Sequence, residues 1–184
     1  MTINKIKQCV NTIENIKKCK RCFLSSVNNK NCLPIPGEGT APADILFIGS
    51  APSVSEEITQ VLWRGQYRQF LNKMLSTALG ENISYFITNC VMCRPTDKIN
   101  GDNRDPNFYE ISKCAINLMK IYDLVKPKVV IFVSKIAQEY YKKEFKEAIF
   151  LLHPTLLINN GGFNHPNYRS ELRKLKDLSS KFKR

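Results

Sequence analysis

Four cysteines in this sequence have the spacing that a metal or cluster site requires. Cys19 and Cys22 form a C-x2-C pair, whereas Cys93 and Cys114 lie at distant points of the chain. Such a set of thiolates can hold a tetrahedral zinc ion or an iron–sulfur cluster. Spacing alone leaves both possibilities open. The four cysteines therefore predict a metal-containing site that only the folded chain can assemble.

The other three of the seven cysteines, Cys9, Cys32 and Cys90, show no such pattern. An odd number favours ligands and buried thiols over disulfides, as in a reducing cytosol. We expect these three to be small buried hydrophobic side chains, with Cys32 as the alternative ligand. The first apolar positions alternate with lysines, unlike a secretory signal peptide, and no apolar run is long enough to span a bilayer. We therefore expect a cytoplasmic protein.

The elements that would position these residues alternate between strand and helix. Short apolar runs typical of buried strands occur at residues 44–49, 85–91, 128–133 and 148–152. Helical periodicity marks residues 1–20, 66–79, 105–125, 134–143 and 172–182. In the third of these helices, Asp105 followed by Pro106 is typical of a helix start. The alternation predicts a four-stranded parallel sheet covered on both faces, in a single domain of 184 residues.

Polar segments follow three of the four predicted strands. They are residues 49–53, 88–89 and 153–155, which contain Ser50, Asn89 and His153. In open sheets of this class, ligands bind beyond the carboxyl ends of the strands. The three segments should therefore converge on one crevice.

The net charge of +12 at pH 7 is concentrated at the two ends of the chain. Residues 1–30 carry seven Lys or Arg and one Glu, and residues 166–184 carry seven Lys or Arg and two acidic residues. Two basic surfaces that flank a nearly neutral body are typical of proteins that contact a phosphate backbone. A coding bias toward Lys, Asn and Ile is the alternative source of this charge.

Several motifs occur in the order that one known family shows. After the C-x2-C pair they are residues 49–53 (Gly-Ser-Ala-Pro-Ser), 62–65 (Leu-Trp-Arg-Gly), 85–89 (Tyr-Phe-Ile-Thr-Asn), 92–95 (Met-Cys-Arg-Pro), 103–106 (Asn-Arg-Asp-Pro) and 153–157 (His-Pro-Thr-Leu-Leu). On these motifs the chain resembles the iron–sulfur uracil-DNA glycosylases, the family 4 or thermophile-type branch of the uracil-DNA glycosylase superfamily. The resemblance covers most of the chain, from Cys19 to the C-terminal helix.

The resemblance implies a three-layer α/β/α sandwich around the four-stranded parallel sheet. It also implies a 4Fe–4S cluster on Cys19, Cys22, Cys93 and Cys114, forming an N-terminal iron–sulfur element of the single domain 1–184. A structural zinc at the same cysteines is the alternative. The implied activity is excision of uracil, or of a related deaminated or modified base, from DNA by a monomer without membrane contact.

The resemblance also assigns roles at the predicted crevice. Trp63 stands where the family has a phenylalanine that stacks on uracil, and Asn89 would recognise the edge of the flipped base. His153 would donate a hydrogen bond to the departing uracil O2, assisted by backbone N–H groups of Ser50 and Ala51.

Ser50 is the departure from the family pattern that bears on catalysis. The family has an acidic residue here, thought to position the attacking water, and a hydroxyl cannot take a proton from water at neutral pH. Glu56 or Glu57 could substitute, although helix capping is the preferred interpretation of both. His165, the competitor of His153, is expected in a loop role. Ser53 also departs from the family, replacing a turn glycine.

Three functions follow from these observations. The first is a glycosylase that is weakened by Ser50. The second is a slow or inactive family member that binds DNA or a flipped base without efficient excision. The third is a four-cysteine zinc module that binds nucleic acid.

Overall fold

The computed structural model describes residues 3–27, 33–98 and 100–182 of the chain. Their central feature is a sheet of five strands: β1 (Glu38–Gly39), β2 (Ile45–Gly49), β3 (Tyr85–Asn89), β4 (Val129–Phe132) and β5 (Ile149–Phe150). The spatial order is β1-β3-β2-β4-β5. Strands β2 to β5 are parallel, whereas β1 pairs antiparallel with β3. The four predicted parallel strands are confirmed, and β1 is an addition too short to leave a periodic signal.

The helices connect and cover these strands. They are α1 (Ile3–Lys17), α2 (Leu24–Val27), α3 (Val54–Thr59), α4 (Gln66–Leu79), α5 (Phe108–Val125), α6 (Lys135–Tyr141), α7 (Pro154–Asn159) and α8 (Tyr168–Asp177). Short 3-10 turns follow at Gly162–Asn164 and Ser179–Phe182. In the described part of the chain, no helix has the length and apolar character needed to cross a membrane.

Alternate residues of the sheet face two separate hydrophobic cores, as the period of a strand requires. Leu46 and Ile48 of β2 pack in one core with residues of α1, α5 and α6. Ile45 and Phe47 of the same strand pack in the other core with residues of α4, α7 and α8. The helices therefore form one layer on each face, and the predicted three-layer α/β/α fold is confirmed.

The start of α5 differs from the prediction by two residues. Asn107, rather than Asp105, caps the helix: its side chain accepts a hydrogen bond from the backbone N–H of Glu110, while the Glu110 carboxylate accepts one from Asn107 N–H. This reciprocal capping box satisfies two backbone donors. Arg104 adds two bonds to the Glu110 carboxylate. Helix α5 therefore begins after Asn107, which Glu110 caps reciprocally, and not at the Asp-Pro pair.

Strands β3 and β5 also end earlier than predicted. After Asn89 the backbone N–H groups of Cys90 and Val91 donate to the carbonyls of Gly49 and Ser50, each at 3.0 Å. The chain thus turns along the end of β2 instead of continuing as a strand. This turn draws the polar residues after β2 and β3 together.

Candidate functional site

The carboxyl ends of the parallel strands open into one cavity of about 630 Å³. Ser50, Ala51, Trp63, Asn89 and His153 all line it. The structure therefore brings together the five residues that sequence analysis selected for base binding and catalysis. Their convergence follows from the parallel sheet, because the segments after β2, β3 and β5 leave it at the same edge.

Sequence analysis missed other residues of the cavity wall. Arg64 and Tyr67 lie on the connection into α4 and in its first turn, and Val133 and Ser134 follow β4. The strand-end rule applied to the third predicted strand would have found Val133 and Ser134. Arg64 and Tyr67 do not follow a strand, so the strand-end rule could not find them. Arg64 lies in a turn, and Tyr67 lies in the first turn of α4.

His153 is held as a neutral hydrogen-bond donor. Its Nδ1 accepts a hydrogen bond of 3.1 Å from the backbone N–H of Thr155, which caps α7. In the neutral ring the proton is therefore on Nε2. Burial lowers the pKa of His153 to about 4, and the nearby Glu56 carboxylate only partly opposes this. At neutral pH the side chain offers one N–H donor and no charge.

His165 lies outside the cavity lining, on the turn between Gly162–Asn164 and α8. It is also followed by proline, and its Nδ1 accepts a hydrogen bond of 3.0 Å from Asn167 N–H. The two histidines thus share a local capping arrangement, and their burial and surroundings distinguish them. The expected loop position of His165 is what the structure shows.

Trp63 packs on the core and also lines the cavity. Its side chain is 4% exposed, and its ring lies 6.0 Å from that of Phe47 and 4.8 Å from that of His153, measured between centroids. The contact with His153 is edge-on, at 67°. Its backbone has φ +49, a left-handed conformation uncommon outside glycine. Trp63 therefore both anchors the core and forms a wall of the cavity.

Two buried polar atoms at the cavity have no hydrogen-bond partner among the described residues. They are Asn89 Nδ2 and Ser50 Oγ. A buried donor without a partner is costly, so such atoms indicate a site for a ligand. Gly49 allows this placement of Asn89, because a Cβ at residue 49 would lie 2.3 Å from Asn89 Oδ1.

The carboxylates of the two glutamates that follow Ser50 both form contacts within the protein. Glu56 forms a capping box with Ser53 at the start of α3, which confirms the capping interpretation. Glu57 does not cap the helix. It is buried and forms an ion pair of 2.7 Å with Arg94, which is also buried. Arg94 directly follows Cys93, so this pair links α3 to the cysteine segment.

The four predicted cysteine ligands line a second, separate cavity between the α1–α2 connection, the segment after β3, and α5. Burial raises the pKa of Cys93 and of Cys114, and the neighbouring thiols raise both further. Such thiols ionise only when positive charge compensates them, as a bound metal centre does. In the described ranges, no group of three His, Cys, Asp or Glu residues is arranged to hold a metal ion. The donor set itself, four sulfurs around one cavity, fits a thiolate-bound group.

The other cysteines differ among themselves. Cys90 is fully buried and its Sγ donates to the Ser50 carbonyl at 3.1 Å, as expected for a buried thiol. Cys9 is only half-buried on α1, so its expected burial is wrong. The cause is α1 itself, whose Ile6 and Val10 are about half exposed while Ile16 is buried. Cys32 lies outside the described residues.

Comparison with known proteins agrees with this architecture. A family model of the uracil DNA glycosylase superfamily matches residues 36–176, and the chain belongs to this superfamily. The resemblance stated from the motifs is thereby confirmed.

Within the superfamily, the chain is similar to proteins named Type-4 uracil-DNA glycosylase. It is 33% identical over 132 residues to the protein of Saccharolobus solfataricus, covering 71% of this chain and 57% of that protein. The protein of Sulfurisphaera tokodaii is 33% identical over 128 residues, with 69% and 54% covered. The protein of Archaeoglobus fulgidus is 27% identical over 128 residues, with 70% and 60% covered. The chain thus spans less than two thirds of the length of these relatives.

Proposed function

We propose that this chain is a uracil-DNA glycosylase of base-excision repair. It hydrolyses the N-glycosidic bond of uracil, or of a related deaminated or modified base, in DNA. The observation that carries the proposal is the cavity in which the unpartnered Asn89 Nδ2, a neutral His153 and the Trp63 ring meet. Release of uracil from a uracil-containing oligonucleotide is the test.

Base recognition requires a nucleotide that has left the helical stack. The Trp63 ring supplies an aromatic wall for the flipped base, and the free Asn89 amide supplies hydrogen bonds to its edge. Uracil presents an acceptor, O4, beside a donor, N3–H, and one side-chain amide can match both. The buried position of Asn89 makes an unmatched base unfavourable, since its amide would stay unpaired.

Bond cleavage places negative charge on the departing base. The bond between C1′ and N1 breaks, its electron pair leaves with the uracil, and a water oxygen adds to C1′. That water loses one proton to solvent, and the uracil anion takes up one proton after it leaves. His153 Nε2–H is the donor that can stabilise the developing charge on O2, with backbone N–H groups of Ser50 and Ala51 alongside. A neutral imidazole can fill this role, because its Nε2–H donates a hydrogen bond while its Nδ1 keeps the bond from Thr155 N–H.

Ser50 limits the rate in this account. Its buried Oγ can orient the attacking water but cannot act as a base at neutral pH. General-base catalysis is typically worth ~10²–10⁴-fold. A slow or inactive family member that binds DNA or a flipped base without efficient excision is therefore the second candidate, and the serine at position 50 favours it.

Cys19, Cys22, Cys93 and Cys114 are proposed to hold a 4Fe–4S cluster. Bound there, it would cross-link the segment after α1 to α5 and to the segment after β3. This arrangement supports the edge of the sheet from which Asn89 projects. Zinc at the same cysteines is the alternative occupant.

The cluster proposal makes a direct prediction for anaerobically purified protein. We expect about four irons per chain and visible absorbance from the cluster. Replacing Cys114 with alanine should abolish both, whereas Cys90→Ala, a change at an equally buried thiol outside this cavity, should retain them. Stoichiometric zinc in place of iron would establish the alternative. Retention of iron in Cys93→Ala together with its loss in Cys32→Ala would contradict the ligand assignment.

DNA is the proposed partner, and the protein is proposed to act on it as a monomer. Arg64 lines the mouth of the cavity, is exposed, and forms no ion pair with a described residue. The phosphates next to a flipped nucleotide lie outside the base pocket, within reach of such a side chain.

On α8, Arg169, Arg173 and Lys176 are also exposed, while Leu175 and Leu178 of the same segment are buried. The C-terminal charges therefore need testing by substitution rather than by truncation.

Substituting Arg64 tests the phosphate contact. Arg64→Gln should weaken DNA binding and lower the slope of log affinity against log salt concentration by about 1, the effect of one lost phosphate contact. Binding titrations at several salt concentrations measure this slope. Lys146→Gln is the matched control, because Lys146 is exposed near the amino ends of β4 and β5, at the opposite edge of the sheet. Equal slopes for Arg64→Gln and wild type would contradict the contact.

A further inference from the structure

Glu56 occupies an unusual position at the cavity, because its two carboxylate oxygens bind two different segments. Oε2 accepts hydrogen bonds of 2.9 Å from both the backbone N–H and the hydroxyl of Ser53. Oε1 accepts a hydrogen bond of 2.8 Å from the backbone N–H of Trp63. Helix capping requires only the first set. The bond to Trp63 spans seven residues and reaches the wall of the cavity.

Trp63 needs such a bond to keep its position. Its left-handed backbone, at φ +49, is one that a residue other than glycine adopts only when its surroundings impose it. Its ring contacts His153 edge-on, at 4.8 Å between centroids. A shift of the Trp63 backbone would therefore move the aromatic wall and disturb the packing of the histidine.

We propose that Glu56 is a positioning residue for base excision. It holds the Trp63 ring in a fixed position relative to the turn that carries Ser50 and Ala51. It acts through Trp63 and not on the substrate. A carboxylate is required, because both of its oxygens accept hydrogen bonds. A glutamine at this position has one acceptor oxygen, and its NH2 group would face an N–H donor. The isosteric glutamine therefore loses one of the two attachments.

The first test uses fluorescence and does not depend on excision. Trp63 is the sole tryptophan of the chain, so its emission reports this wall alone. In Glu56→Gln we expect emission at longer wavelength and stronger quenching by acrylamide, because the ring becomes more exposed to water. Glu81→Gln, at an exposed residue after α4, is the matched control and should resemble wild type. Unchanged emission and quenching in folded Glu56→Gln would overturn the proposal.

The second test rests on the proposed function and uses single-turnover excision of uracil from an oligonucleotide. Glu56→Gln should lower the maximal rate by about 5- to 150-fold, the range that one base–aromatic stack is worth. The protein concentration for half-maximal rate should stay unchanged, because the phosphate contacts remain. In a Trp63→Ala background the same substitution should cost less than about twofold, since residues that act as a unit are non-additive. Equal costs in both backgrounds would contradict a role through Trp63.

Glu56→Asp keeps the experiment decisive if the glutamine variant does not fold. Aspartate retains a carboxylate for the helix start but is one methylene too short to reach both Ser53 and Trp63. It should give the same emission shift as glutamine, and wild-type emission would overturn the proposal. Wild-type protein that releases no uracil would refute the proposed function, while the fluorescence comparison would still decide the role of Glu56.

Discussion

Replacing His153 with alanine is expected to lower the rate of uracil excision by at least ~10²-fold, the typical cost of one donor to a developing anion. The expectation rests on the fixed orientation of the ring, whose Nδ1 is bound to Thr155 N–H and whose Nε2–H is left for the substrate. Single-turnover rates on a uracil-containing oligonucleotide measure the loss. Binding of DNA should change little, because the donor acts on charge that forms only as the bond breaks.

His165→Ala provides a matched control for this experiment. His165 has the same local capping geometry and the same following proline, but it does not line the cavity. Its replacement should leave the rate within about twofold of wild type, as expected for a loop residue away from the chemistry. A similar loss in both variants would indicate a general effect of the capping histidines on folding and would contradict the assigned role.

The pH dependence of excision tests the protonation state of His153. Because burial lowers its pKa to about 4, the donor stays neutral through pH 5 to 8, and its protonation should reduce activity only near pH 4. The sign for stability follows from the same shift. The unfolded chain, with a pKa near 6.5, binds this proton more readily than the folded chain. The contribution of His153 to stability is therefore complete above about pH 6.5 and is lost as the pH falls toward 4. An acid limb of activity centred near 6.5 in wild type and absent in His153→Gln would contradict the lowered pKa.

Introducing a carboxylate at Ser50 is expected to raise excision by up to ~10²–10⁴-fold, the usual contribution of a general base. Ser50 Oγ is buried without a hydrogen-bond partner in the described structure, and the adjoining cavity has a volume of about 630 Å³. Ser50→Glu can therefore extend into the cavity and take the proton of the attacking water. Ser50→Ala should cost little, because the hydroxyl contributes orientation only.

Ser55→Glu separates a general base from a general effect of negative charge. Ser55 also lines the cavity, but it is exposed in the first turn of α3, where a carboxylate is tolerated. It should leave the rate near that of wild type. A gain equal to that of Ser50→Glu would contradict a position-specific base. A large loss in Ser50→Ala would instead assign the hydroxyl a specific contact with the base or the water.

Much of the site could be predicted because its residues follow strand ends. Buried parallel strands are continuous apolar runs, and the polar residues that interrupt them, such as Ser50, Asn89 and His153, stand out in the sequence. Once the strands are known to be parallel, their carboxyl ends must meet at one edge. The C-x2-C pair is recognisable by its spacing, whereas the resemblance to the family implies Cys93 and Cys114 as its partners. The cavity that the four share depends on α5 passing beside the C-x2-C segment.

Other features depend on contacts that sequence patterns do not show. Trp63 has a left-handed backbone and donates its N–H to Glu56, seven residues earlier, and no local preference of tryptophan predicts this conformation. The ion pair of Glu57 with Arg94 joins helix α3 to the segment after β3, and these are adjacent only after the sheet forms. The position of Arg64 at the cavity mouth could not be predicted from the sequence for the same reason. Tertiary placement decides these roles.

Direct measurement of uracil release tests the central claim most simply. Wild-type protein is incubated with single- and double-stranded oligonucleotides that contain one uracil, and both the free base and the resulting abasic site are quantified. We expect wild type to release free uracil, His153→Ala to release it more slowly and Ser50→Glu to release it faster, with no release of base from the matching thymine oligonucleotides. Absence of release by wild type and Ser50→Glu alike, on uracil, hypoxanthine and 5-substituted uracils, would contradict it and leave a protein that binds a flipped base without excising it.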